Sequence, residues 1–87
     1  MKHLAEFLEH KGLTPSEVAI AVKLMDGKRS IQIARELFVT EKTVKFHLTS
    51  IYKKTGFAGR MHFYINIRNE YEKAYPLSES KYNKRKD

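Results

Sequence analysis

The chain contains no cysteine and no tryptophan. The missing thiols exclude disulfides, thiolate metal sites and a cysteine nucleophile, and they fit a reducing cytoplasm. Long apolar runs are also lacking. Nothing approaches the roughly 18 residues that a membrane span needs, so no span is expected. Met1 to His10 is interrupted by charge every few positions and does not read as a signal peptide. There is no glycine-rich phosphate loop and no Ser/His/Asp grouping, so the chain is not expected to be an enzyme or to hold a cofactor. The four histidines are His3, His10, His47 and His62. None stands in a recognised metal-ligand motif, so no metal site is expected. Acid is scarce too: 10 Asp plus Glu stand against 17 Lys plus Arg, giving a formal charge of +7. That balance favours a polyanionic partner, nucleic acid ahead of an anionic membrane.

What is present suffices for one small all-α domain. Of the 87 residues, 41% are hydrophobic, enough for a modest core. Leu4, Phe7, Leu8 and Lys11 fall at helical spacing and Gly12 can stop them, which predicts a short N-terminal helical extension over residues 1–12. Its stripe can cover the domain's own core or extend an interface with a second copy. Leu13 to Glu17 is a strong helix start, with Thr14 as N-cap, Pro15 at the first helical position and Glu17 where a capping box needs it. This nearly all-apolar helix is expected to be central to the core, ending near Asp26 with Gly27 beyond it. Ser30 can cap a second, short helix bearing Ile31, Ile33, Ala34, Leu37 and Phe38, and Phe38-Val39 then form a tight apolar turn.

Thr40 caps a third core helix, over about 41–55. Val44, His47, Leu48, Ile51 and Thr55 share one face, and Lys42, Lys45, Phe46, Thr49 and Lys53 the other. Lys53 and Lys54 stand in the last turn, where cations suit the helix dipole, and Gly56 closes it. A fourth core helix runs from near Arg60 to Ala74 or Tyr75, with Phe63, Tyr64, Ile67 and Tyr71 as its apolar stripe. Pro76 blocks continuation. Residues 76–87, with Lys81, Lys84, Arg85 and Lys86, are expected to form a basic flexible tail.

Two helices joined by so short a turn form a helix-turn-helix. From Leu13 to about Phe63 the chain resembles, without a gap, the DNA-binding domain of the LuxR/GerE family of bacterial transcription regulators. The residues that carry the resemblance are Leu13-Thr14, Glu17, Gly27, Ile33-Ala34, Leu37, Val39, Glu41, Thr43-Val44-Lys45, His47, Ile51, Lys54, Gly56 and Arg60. The resemblance implies that the third core helix enters the major groove of double-stranded DNA. Lys45, Phe46 and Thr49 then match base-facing positions, with Lys42 at the rim. Lys45 can donate to guanine or to a phosphate, Phe46 can only pack on thymine methyl groups, and Thr49 can do either. Thr43, Lys53, Lys54 and Arg60 are phosphate candidates. Arg29, where the family usually has a small hydroxyl residue, can add another. Other departures are Ser16 for a basic residue, Ile31-Gln32 for Lys-Glu, Thr55 for Leu, and Gly59 for Asn or Ser. Thr55 is expected to loosen the end of its helix, and Ile31 to be an exposed contact for a partner protein.

In the family the fourth helix commonly makes a dimer contact. The resemblance therefore implies a homodimer through Phe63, Tyr64, Ile67 and Tyr71, within a DNA-binding unit over residues 13–75; the other reading of these residues is that Phe63 and Ile67 merely complete a small core. With twelve residues ahead of Leu13, the chain is expected to resemble stand-alone family members, acting in the bacterial cytoplasm at the nucleoid. The rival reading is a degenerate helix-turn-helix that binds another regulator or RNA polymerase.

Overall fold

A computed structural model describes residues 1–76. It contains five helices: α1 (Leu4–His10), α2 (Pro15–Met25), α3 (Ser30–Leu37), α4 (Glu41–Thr55) and α5 (Arg60–Ala74). The basic tail expected over 76–87 lies, apart from Pro76, outside the described residues.

The helix boundaries follow from local chemistry. The Thr14 hydroxyl accepts the Glu17 N–H at 3.2 Å and the Glu17 carboxylate accepts the Thr14 N–H at 2.9 Å, so the capping box forms at α2. At its other end Gly27 turns left-handed (φ +86°), and the Lys28 N–H returns to the Lys23 carbonyl at 3.1 Å. Gly56 ends α4 in the same way, with the Phe57 N–H on the Tyr52 carbonyl at 3.1 Å.

The start of α3 differs from expectation by one position. Arg29, not Ser30, is the N-cap, because the Gln32 side chain reaches back to accept the Arg29 N–H at 2.9 Å and Ser30 is drawn into the first turn. Its end is unusual as well. Phe38 is left-handed at φ 59°, alone among the non-glycine residues described, and its side chain is 94% exposed. The Val39 N–H on the Ala34 carbonyl at 3.0 Å completes the turn. An L-residue in that conformation costs about 1–2 kcal/mol, which the packing on either side must offset.

Helix α2 is the hub, in contact with α1, α3, α4 and α5. Its fully buried Leu24 joins Leu8, Ile33, Val44, Ile51, Phe63 and Ile67 of the other helices in one continuous core. Helix α1 covers this chain's own core: Leu4 and Leu8 are buried, and full burial of such side chains is worth about 1.5–3 kcal/mol each. It docks on the second half of α5. His3 stacks on Tyr75 at 4.7 Å between centroids, Phe7 meets Tyr71 edge-on at 5.6 Å, and the His3 N–H donates to the Tyr71 hydroxyl at 2.9 Å. Lys11 lies over the Phe7 ring and pairs with Glu70. Glu36 of α3 receives both Lys23 (2.7 Å) and Lys28 (2.6 Å). Those two hydrogen bonds lower its carboxyl below the ordinary value.

Candidate nucleic-acid interface

Helix α4 is held at its start by Thr40. The Thr40 hydroxyl oxygen accepts the Thr43 N–H at 3.1 Å and its proton goes to the Thr43 hydroxyl at 2.9 Å. With its oxygen already accepting, the half-buried Thr43 hydroxyl can donate outward. Val44, Leu48 and Ile51 are buried, which fixes which side of α4 faces out. On the outer side Lys42, Lys45, Phe46, Thr49 and Lys53 are all exposed. The one acid of α4, Glu41, lies 3.4 Å from Lys45. An exposed pair at i, i+4 is worth only a few tenths of a kcal/mol, so Lys45 can leave it for a phosphate or a guanine. The Thr49 hydroxyl donates back to the Lys45 carbonyl at 3.1 Å, which leaves its oxygen and methyl group for an outside partner. His47 is half-buried at the edge of this face, its ring 5.7 Å from that of Phe46.

Two residues expected at phosphates are engaged within the chain instead. The Lys54 ammonium donates to Glu17 at 2.8 Å, and Arg60 donates to the Lys28 carbonyl. Glu17 is only 4% exposed, and its carboxylate also accepts from Ser50 at 2.7 Å. Burial pushes its carboxyl upward, but the hydrogen bonds from Lys54, the Thr14 N–H and Ser50 outweigh burial and lower it from 4.5 to about 2. This buried junction between α2 and α4 is the part of the site that sequence reasoning missed. The capping box explains Glu17 locally, and nothing in the sequence ties it to Ser50 or Lys54. Arg29 is exposed at the start of α3. Thr55 is partly covered, and its hydroxyl donates to the Ile51 carbonyl at 2.8 Å, satisfying the polar group where a leucine would pack.

The stripe expected at a dimer contact is mostly turned inward. Phe63, Ile67 and Tyr71 are buried in the chain's own core, because α2, α4 and α1 cover that side of α5. Of the four residues only Tyr64 is partly open, its hydroxyl accepting from Arg68 at 3.1 Å. The outward side instead carries Met61, 68% exposed, and Ile65, 49% exposed. A cleft of about 520 Å³ lies between α1, the end of α2 and α5, lined by Leu4, Val22, Met25 and Arg68 among others. No α4 residue lines it. The α4 face is the outside of a helix, so a ligand there must supply the groove. No helix among the described residues is long and apolar enough to cross a membrane.

A short supporting helix, a turn over residues 38–40 and a longer helix with one buried and one basic face define a helix-turn-helix domain. Residues 11–66 match the family model described as bacterial regulatory proteins, luxR family, and the chain belongs to that family. It is 39% identical over 61 residues to the transcriptional regulatory protein LiaR of Bacillus subtilis, a match covering 69% of this chain and 29% of LiaR. It is 34% identical over 62 residues to the spore germination protein GerE of the same organism, covering 71% of this chain and 84% of GerE. A putative HTH-type transcriptional regulator of Mycobacterium bovis is 41% identical over 49 residues, covering 56% of this chain and 6% of that protein. The chain thus spans less than a third of LiaR and a small fraction of the mycobacterial protein, but most of GerE. No solved structure is significantly similar to it. The family match stops short of α1 and of the last two turns of α5, and these two segments pack on each other.

Proposed function

We propose that the chain is a sequence-specific regulator of transcription that binds double-stranded DNA with α4 in the major groove, acting at the nucleoid of the bacterial cytoplasm. The observation that carries this reading is the outer face of α4, where Lys42, Lys45, Phe46, Thr49 and Lys53 are exposed together opposite a buried face. An α-helix fills the major groove of B-DNA, and lysines along it meet phosphates and guanine edges. Membership of the luxR family supports the same use of the surface. Thr43 and Arg29 join Lys42 and Lys53 as phosphate contacts. Residues 13–75 form the binding unit, and residues 1–12 brace it.

The protein acts as a homodimer through the outward side of α5, where Met61, Tyr64 and Ile65 are accessible. Two-fold symmetry then sets two recognition helices about 34–36 Å apart, in successive major grooves. The test is selection of duplexes from a randomised pool at two salt concentrations. The expected result is a symmetric motif whose affinity falls steeply with salt, as phosphate contacts require. Absence of any enriched motif would sink this reading.

The exposed Ile31 and Phe38 favour a second reading, a module that binds another regulator or RNA polymerase. It predicts DNA binding that is weak and indifferent to sequence, and it leaves Lys42, Lys45 and Lys53 without a role.

A further inference from the structure

We propose that Phe46 reads the C5 methyl group of a thymine in the major groove, so that one position of the target is selected by an apolar contact; this rests on the DNA-binding reading above. Phe46 is 71% exposed. Among the described residues its ring has a single aromatic neighbour, His47, met edge-on at 5.7 Å. At 3.6 residues per turn, Phe46 stands within about 40° of diametrically opposite each of the buried Val44, Leu48 and Ile51. It is therefore the crest of α4, the side chain that goes deepest when the helix enters a groove. Lys42, one turn before, and Lys53, two turns after, lie within about 40° of the same line. Both are exposed, and both are long enough to reach the phosphate walls while Phe46 faces the floor.

The phenyl ring has no donor and no lone-pair acceptor. The base edges on the floor of the major groove are donors and acceptors, except for the methyl group of thymine. Seated on that methyl, the ring removes apolar surface from water on both partners. Seated on the cytosine or adenine amino group or on the guanine acceptors, it would strip them of water and offer no hydrogen bond in return. The same residue thus selects for one base and against the other three.

The experiment uses the duplex recovered from the randomised pool. Each thymine is replaced singly by deoxyuridine, which lacks only the C5 methyl and keeps the O4 acceptor and the pairing edge. Affinities are measured for the wild-type chain and for Phe46→Ala, whose fold is checked by its melting curve. At one thymine of each half-site, loss of the methyl is expected to weaken wild-type binding about fourfold, the equivalent of one buried methyl group. The Phe46→Ala protein is expected to be indifferent to the same replacement. If no thymine responds, or if the response persists in Phe46→Ala, the inference is overturned while specific DNA binding stands. If the pool yields no preferred duplex, the DNA-binding reading falls and takes the inference with it.

Discussion

The Glu17 carboxylate of α2 accepts a hydrogen bond from Lys54 of α4 at 2.8 Å, across 37 positions of sequence. With Ser50 on its other oxygen at 2.7 Å, this one buried acid pins the start of the central helix to the far half of the helix that carries the basic face. The orientation of α4 on the body of the domain therefore depends on an ionised group, and that dependence is measurable.

Glu17 titrates at about 2 in the folded chain against 4.5 when unperturbed. Its folded pKa is depressed, so the stabilisation is fully present above about pH 4.5 and is lost as pH falls towards 2. The linkage is worth about 3 kcal/mol. Urea unfolding at a series of pH values is expected to show the wild-type midpoint falling through that window. Glu17→Gln should be less stable at pH 7 and flatter on the acid side; parallel acid limbs for the two proteins would contradict the assignment.

The lysines of α4 divide by what holds them. Lys53→Ala removes an exposed cation and is expected to lower the slope of log affinity against log salt by about 1, equally on specific and random duplexes. Lys54→Ala removes the partner of Glu17, so it should lower the melting temperature and leave that slope unchanged. Lys45→Ala should weaken specific binding by roughly 1–3 kcal/mol and relax selectivity. Equal loss on random duplex would remove Lys45 from the base-reading set.

Helix α1 is part of the core. Leu8 is fully buried, and Leu8→Ala is expected to cost about 2–5 kcal/mol. Deleting residues 1–11 should do at least as much damage, since it also uncovers Tyr71 and Tyr75. Calorimetric melting of the two variants checks this, and an unchanged transition after deletion would show that α1 is only loosely attached.

The two sides of α5 should respond in opposite ways. Ile65→Lys, on the outward side, is expected to shift the protein from dimer to monomer in sedimentation while its monomer melting is little changed. Ile67→Lys places a charge at a fully buried position and should unfold the domain. Wild-type protein that sediments as a monomer at high concentration would remove the dimer from the proposal.

Much of this was legible in the sequence because it is local. A capping box acts over three residues, a glycine stop over two, and an apolar face repeats every three or four. These are enough to place α2, α4 and α5 and to set the basic side of α4 outward. What was not legible has a different cause. An apolar stripe such as Phe63, Ile67 and Tyr71 says that a helix face will be covered, but not whether a second copy or the same chain covers it; here α2, α4 and α1 do. A lysine or arginine near a helix end says that a cation is present, not where it goes. Lys54 went to Glu17 and Arg60 to the Lys28 carbonyl because folding brought those acceptors within reach. The sequence by itself determined the helices, their caps and the chemistry of the outer face of α4, all of which arise from neighbours along the chain. Only the tertiary structure decided which cations are spent internally and which aromatics are buried, because those outcomes depend on groups that meet only once the helices have packed.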